Sequence, residues 1–145
     1  MNRQDFQHLA QERLEDAQAL LRAGRFSGSY YLAGYSVECA LKACIARKTK
    51  RDDFPPRDAR DYYVHDVTKL LDIAGLKKEW ETQAKGDPKK SRGRTDRAFE
   101  AHWTLVKDWT EESRYRSRTR EEAEALFVAI SDPKHGVLAW LKRYW

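Results

Sequence analysis

The sequence predicts an all-α fold, an antiparallel bundle of four or five main helices with short additional ones. Three observations carry this expectation. Apolar residues recur at three- and four-residue spacing over long stretches, strand-like alternation of Val, Ile and Thr is absent, and only seven Gly and four Pro interrupt 145 residues. The length suits one domain over residues 1–145 with a substantial core. With 41% hydrophobic and 35% charged residues, the chain reads as globular with a heavily charged exterior, not as disordered.

The first helix is expected from Arg3 to Ala23. Phe6, Leu9, Ala10, Leu14, Ala17, Leu20 and Leu21 form its apolar stripe, and Gly24 suits the left-handed residue that ends it. Ser27 reads as the cap of a second helix over Gly28 to Arg47. That helix is apolar nearly all round, with Ala33, Gly34, Ser36, Ala40 and Ala43 allowing close approach, so it is expected at the centre. Glu38 sits at its middle, where an unpaired charge is costly, and Lys42 follows at the favourable i,i+4 spacing. Phe54-Pro55-Pro56 stops any helix in the polar loop beyond. A short third helix is expected over His65 to Ala74, closed by Gly75, with another short turn or helix over Leu76 to Gln83. After the loop Lys85 to Arg94, a fourth long helix spans Asp96 to Glu112, with Phe99, Trp103, Val106 and Trp109 inward. Thr119 and Glu122 make a capping box for a fifth helix that buries Ala123, Leu126, Phe127 and Ile130. Asp132-Pro133 reads as the start of a final short helix ending at Trp145.

Several function classes fall away on composition. The N-terminus has no basic stretch leading into an apolar run, and the richest apolar stretch, Tyr30 to Ala46, is too short for a bilayer and carries Glu38 and Lys42. A cytoplasmic location is the expectation. Cys39 and Cys44 point to different faces of one helix, so they read as buried free thiols in a reducing compartment. No zinc-finger spacing is present, and the sequence calls for no metal or cofactor. No compact recognition-helix pattern points to DNA. The formal net charge is +5. It is concentrated: the segment from Lys85 to Arg97 and the run Arg114, Arg116, Arg118 and Arg120 each hold a net +4, which leaves the remainder slightly acidic. Two such runs flanking one helix suit a sequence-blind grip on a phosphate backbone. A solvated charged surface is the alternative. Trp140, Tyr144 and Trp145 read as exposed residues available to a dimer surface.

Three segments go beyond periodicity. The run Arg13-Leu14-Glu15-Asp16-Ala17-Gln18-Ala19-Leu20-Leu21, continued by Gly24 through Ala43, closely resembles the opening of HEPN domains. His65-Asp66-Val67-Thr68-Lys69-Leu70-Leu71 is similar to that family's His-Asp-Leu element, and Trp109 through Tyr115 to its late Ser-Arg-Tyr element. The resemblance implies a helical bundle that often dimerises. It also implies an RNA-directed activity: many members cut RNA without metal, as toxins or in defence, through an Arg followed after four to six residues by a His at a dimer-lined cleft. Other members bind RNA, nucleotide, or a partner nucleotidyltransferase or antitoxin without cutting. The chemistry is sensible, because histidine exchanges protons near neutrality and arginine offers phosphate a planar fork of donors.

Spacing alone offers three such pairs: Arg60 with His65, Arg97 with His102, and Arg3 with His8. With sixteen arginines in the chain, spacing discriminates poorly, and context must rank them. Arg60 and His65 straddle a loop and the start of a helix, where both side chains can reach one cleft, so they are the preferred pair; a structural cap and a solvated cation are the alternative. Arg97 and His102 lie about 140° apart on a helix, and His102 is equally a boundary residue of the core. Arg3 and His8 fall at a frayed helix start. Glu38 and Lys42 line the cleft or form a buried ion pair that fixes packing. Arg114 and Tyr115 contact phosphate and stack on a base, or form a salt bridge and a core tyrosine.

Overall fold

The computed structural model describes residues 1–49, 64–89 and 95–145. Among these residues there are seven α-helices and no strand. They are α1 (Arg3–Arg22), α2 (Phe26–Arg47), α3 (Val67–Ile73), α4 (Lys77–Lys85), α5 (Arg97–Lys107), α6 (Arg120–Ser131) and α7 (Val137–Leu141), with a short 3₁₀ helix at Glu111–Tyr115. The all-α class expected from the sequence holds. Phe54-Pro55-Pro56 and the loop cations Lys90, Arg92 and Arg94 lie outside the described residues.

The first two helices set the frame. Asn2 and Asp5 close a capping box at the start of α1. Its end is a Schellman motif: Gly24, at φ 75°, lets its own amide reach the Leu21 carbonyl (3.2 Å) and the Arg25 amide reach Leu20 (2.8 Å). α2 then returns along α1. Ala10 and Ala17 of α1 are fully buried against it, and the Ser29 and Ser36 hydroxyls donate to the Ala17 carbonyl (2.8 Å) and the Ala10 carbonyl (2.6 Å). Small side chains thus allow close approach, and each buried hydroxyl bond contributes about 1 kcal/mol. α2 buries residues on every side, including Val37, Leu41 and Ile45, as expected of a central helix. α6, α3, α7 and the 3₁₀ helix pack on it in turn.

Several boundaries differ from expectation, each for a tertiary reason. α2 begins at Phe26, and its N-cap, Arg25, makes no side-chain cap bond. Ser27 is no cap; its hydroxyl oxygen accepts from the Arg118 amide at 2.9 Å and ties the 116–119 segment to the start of α2. The third helix starts at Val67, because Asp66 takes the capping role by accepting from the Lys69 amide. The fourth helix stops at Lys107, not Glu112. The chain leaves the helical path so that Trp109, 1% exposed, can lie over α2, and extended Thr110 leads into the 3₁₀ helix. Phe127 is only partly buried, and Ala129 takes a core position instead. Asp132-Pro133 does not start the last helix. The Asp132 carboxylate accepts from the Lys134 and His135 amides in a turn, and α7 begins after Gly136. Trp140 is core, 3% exposed and packed on Phe99 and Tyr144, so it is not available to a dimer surface. Tyr144 and Trp145 are partly buried against the same core.

The closest approach in the bundle is at Gly34. A Cβ there would overlap the Trp109 indole. Gly34→Ala should therefore destabilise the protein by about 1–3 kcal/mol in urea denaturation, although alanine is the better helix former by about 1 kcal/mol. Unchanged or raised stability would show that the indole can move aside.

Candidate functional site

At the waist of α2 the Glu38 side chain is 1% exposed. A carboxylate that deep is costly unless paired, and two donors reach the same oxygen. Lys42, one turn on, places Nζ 2.6 Å from Oε1, and His65 places Nδ1 2.8 Å from it. Oε2 has no hydrogen-bond partner. His65 reaches inward because it precedes the Asp66 cap on extended chain, not on α3 itself. Its ring remains 45% exposed, and Nε2 faces outward, 3.1 Å from Oε2 of Glu111 on the 3₁₀ helix. His65 and Glu111 border an open cleft of about 560 Å³, lined also by Val64, Asp66, Lys69, Thr110 and Glu112. Glu38 and Lys42 are not on this lining but form the buried ion pair behind His65, the second of the two readings the sequence offered.

The arrangement is a carboxylate–imidazole dyad. The Nδ1–H donates to a buried acid, which holds the ring's orientation and tautomer and leaves Nε2 to exchange protons with whatever occupies the cleft. The neighbouring groups do not compete for that role. Burial pushes the Cys39 thiol up to about 12, with the Glu38 charge adding to the effect, and pushes the Tyr35 phenol to about 12 as well. Burial also takes Cys44 to about 12. None of the three is an available nucleophile or base near neutrality. Both cysteines are free and buried, as the sequence suggested. Among the described residues, no group of three or more His, Cys, Asp or Glu is placed to hold a metal ion.

The remaining candidates fall in different places. Arg60 lies outside the described residues. Arg114 lies on the 3₁₀ helix but not on the cleft's lining; it hydrogen-bonds Tyr115 and Tyr31, and its guanidinium is 4.8 Å over the ring of Tyr115, which is 76% exposed and so not a core residue. The rest of that arginine run is largely engaged. Arg118 pairs with Glu122 at 2.9 Å and lies over Tyr30, Arg116 comes within 3.9 Å of Glu112, and Arg120 lies over Phe26. The concentrated positive field expected from the sequence is therefore partly neutralised by the chain's own carboxylates. His8 is exposed on α1. His102 is tied into structure: its Nδ1 donates to the His135 carbonyl at 2.9 Å, while His135 Nδ1 donates to Asp96, the cap of α5. Arg97, exposed at the start of that helix, borders a shallow surface hollow instead. Glu111 had no sequence signal beyond its place near Arg114, because its contact with His65 exists only in the fold.

With this geometry in view, comparison with known families is informative. A family model described as HEPN domain matches residues 4–131. The chain belongs to the HEPN domain family. This HEPN protein thereby falls in an RNA-related family whose members commonly dimerise. No curated protein and no solved structure matches it. No described helix is long and apolar enough to cross a membrane.

Two predictions concern the stability of these networks. Lys42→Met should cost about 3 kcal/mol in urea denaturation, because it leaves Glu38 buried with one partner fewer. Adding Glu38→Met should restore most of that loss; a double variant no more stable than the single one would contradict a charge-pairing role. For Asp96, burial alone would raise the carboxyl, but hydrogen bonds from His135, the Phe99 amide and Gln83 outweigh it and hold it below its ordinary 3.8. A depressed carboxyl stabilises the fold above its unfolded value and loses that contribution as pH falls through the folded one. Asp96→Ala should thus cost about 1 kcal/mol at neutral pH, and its gap to the unmodified protein should narrow below about pH 4. A gap that held constant into acid would rule out the charged cap.

Proposed function

We propose that this HEPN protein is an RNA-directed, metal-independent endoribonuclease in which His65 handles protons at the cleft. The observation that carries the reading is the union of opposite exposures in one contact. Glu38 is 1% exposed and holds Nδ1, while the ring it holds is 45% exposed to the cleft. A histidine serving only the core would be buried with its partner. Here the fixed side faces in and the exchangeable side faces out, which is what general acid–base chemistry on an RNA 2′-hydroxyl and its phosphate requires.

Around this dyad, Lys42 pairs with Glu38 and holds it in place, Arg114 supplies a guanidinium for the phosphate, and Tyr115 offers an open ring for a base. Arg60, five residues before His65, is proposed as a further phosphate ligand. A homodimer that brings a second copy's cations to the cleft fits the acid-rich described lining. That lining, with Asp66, Glu111 and Glu112 against Lys69, also favours a second reading: a non-cutting module that binds RNA, a nucleotide or a protein partner.

The experiment incubates purified protein with mixed RNA in chelator, beside His65→Ala and His102→Ala variants. The unmodified protein should cleave, His65→Ala should lose about 10²–10⁴-fold, and His102→Ala should keep its rate. Loss confined to His102→Ala would move the site to α5. RNA binding without cleavage by the unmodified protein would favour the second reading.

A further inference from the structure

Cleavage of RNA at a 2′-hydroxyl moves two protons. One leaves the 2′-oxygen as it attacks phosphorus, and one arrives at the 5′-oxygen as the P–O5′ bond breaks. A single outward nitrogen on His65 cannot do both in one step, so a metal-free site needs a second group within reach. The described side chains around the ring narrow the choice. Glu38 is 1% exposed, and Oε1 is already committed to Lys42 and Nδ1. The Asp66 carboxylate caps α3 through the Lys69 amide. Glu112 is 71% exposed and turned toward Arg116 at 3.9 Å. Glu111 alone among them stands at Nε2, 3.1 Å away, with 40% of its side chain open to solvent.

Building on the proposed nuclease activity, we propose that Glu111 is the second proton-handling group of this site, acting as the base while His65 acts as the acid. On binding, the RNA parts the two side chains. The Glu111 carboxylate takes the 2′-hydroxyl proton, the 2′-oxygen bonds to phosphorus, and the P–O5′ bond breaks. The proton on His65 Nε2 passes to the 5′-oxygen. The products are a 2′,3′-cyclic phosphate and a 5′-hydroxyl, with no water consumed. Glu111 is then protonated and His65 Nε2 bare. Once product leaves, their resting contact returns the proton directly from carboxyl to imidazole, and the site is reset. Glu38 stays behind the ring throughout as a positioning group. Among the described residues, the titratable and charged groups that share the cleft with Glu111 are His65 and Asp66 before α3, Lys69 on α3 and its neighbour Glu112, with Arg114 also near it.

The test is single-turnover cleavage of a single-stranded RNA in chelator across a pH series, for the unmodified protein, Glu111→Gln, Glu111→Asp, His65→Ala and the exposed control Glu124→Gln. Binding of a 2′-deoxy copy of the same strand is measured in parallel by fluorescence anisotropy. Glu111→Gln should slow cleavage by about 10²-fold or more and abolish the rise in rate on the acidic side of the profile. Glu111→Asp should restore part of the rate and that rise. Binding of the deoxy strand should be retained or tighten, because one negative charge is gone. Glu111→Gln cleaving as fast as the unmodified protein, or slowly with the acidic limb intact, would overturn the assignment. His65→Ala inactive in the same experiment would leave the nuclease reading standing. An unmodified protein that does not cut would remove both.

Discussion

The structure depends on one buried charge. Glu38 lies in the middle of the most enclosed helix, where a lone carboxylate would be expensive to keep ionised. Lys42 offsets part of that cost from within the same helix, and His65 adds a second donor from a segment that is otherwise only a connector. The pairing does two things at once. It anchors the stretch before α3 against α2, and it presents one edge of an imidazole to solvent at a fixed angle. A hydrophobic residue at position 38 would pack as well or better, but it would give His65 nothing to hold. The acid is therefore better explained by what it orients than by stability.

The other wall of the cleft follows from packing rather than charge. Gly34 leaves a gap one turn before Glu38, and the Trp109 indole fills it. Tyr31 stacks on the same indole and on Tyr35. With Trp109 pinned, the chain beyond α5 has to turn across α2 as the 3₁₀ helix, and Glu111 comes to rest opposite His65. A missing side chain and a buried acid, four residues apart on one helix, thus position both faces of the site.

What was legible in the sequence follows the range of each interaction. The apolar surround of α2, its small residues, the Glu38–Lys42 pair and the Thr119–Glu122 capping box are all local, and periodicity or i,i+3 and i,i+4 spacing exposes them. Features that join distant parts of the chain were hidden. Ser27 has the right chemistry for a cap, yet its partner is the Arg118 amide 91 residues on. Arg97 and His102 have a suggestive spacing, yet His102 is held by a carbonyl 33 residues away. The end of α5 at Lys107 could not be seen in a stripe that continues through Trp109, because the tryptophan's destination on another helix decides it. His65 stood out by family resemblance. That its two nitrogens face two acids, one buried and one open, is a property of the folded chain alone.

The arginine run shows how charge counted along a sequence differs from charge available to a ligand. Arg118 is spent on Glu122 and on the face of Tyr30, and Arg116 has Glu112 within reach, so neither adds a free positive charge to the surface. Arg114 and Arg120 are different. Each lies over a ring, Tyr115 and Phe26 respectively, and Arg114 also donates hydrogen bonds to Tyr115 and Tyr31. At most these two arginines of the four are left for a phosphate, and Arg114 shares its 3₁₀ helix with Glu111 of the His65 cleft. Two phosphate contacts give only a shallow dependence of affinity on salt, too little to hold a polynucleotide tightly without help from a second copy or another segment. On the proposed reading, grip and chemistry would then be separate. His65 stands between two carboxylates, Glu38 and Glu111, so on that reading the cations that draw RNA toward it would act from the edge of the cleft.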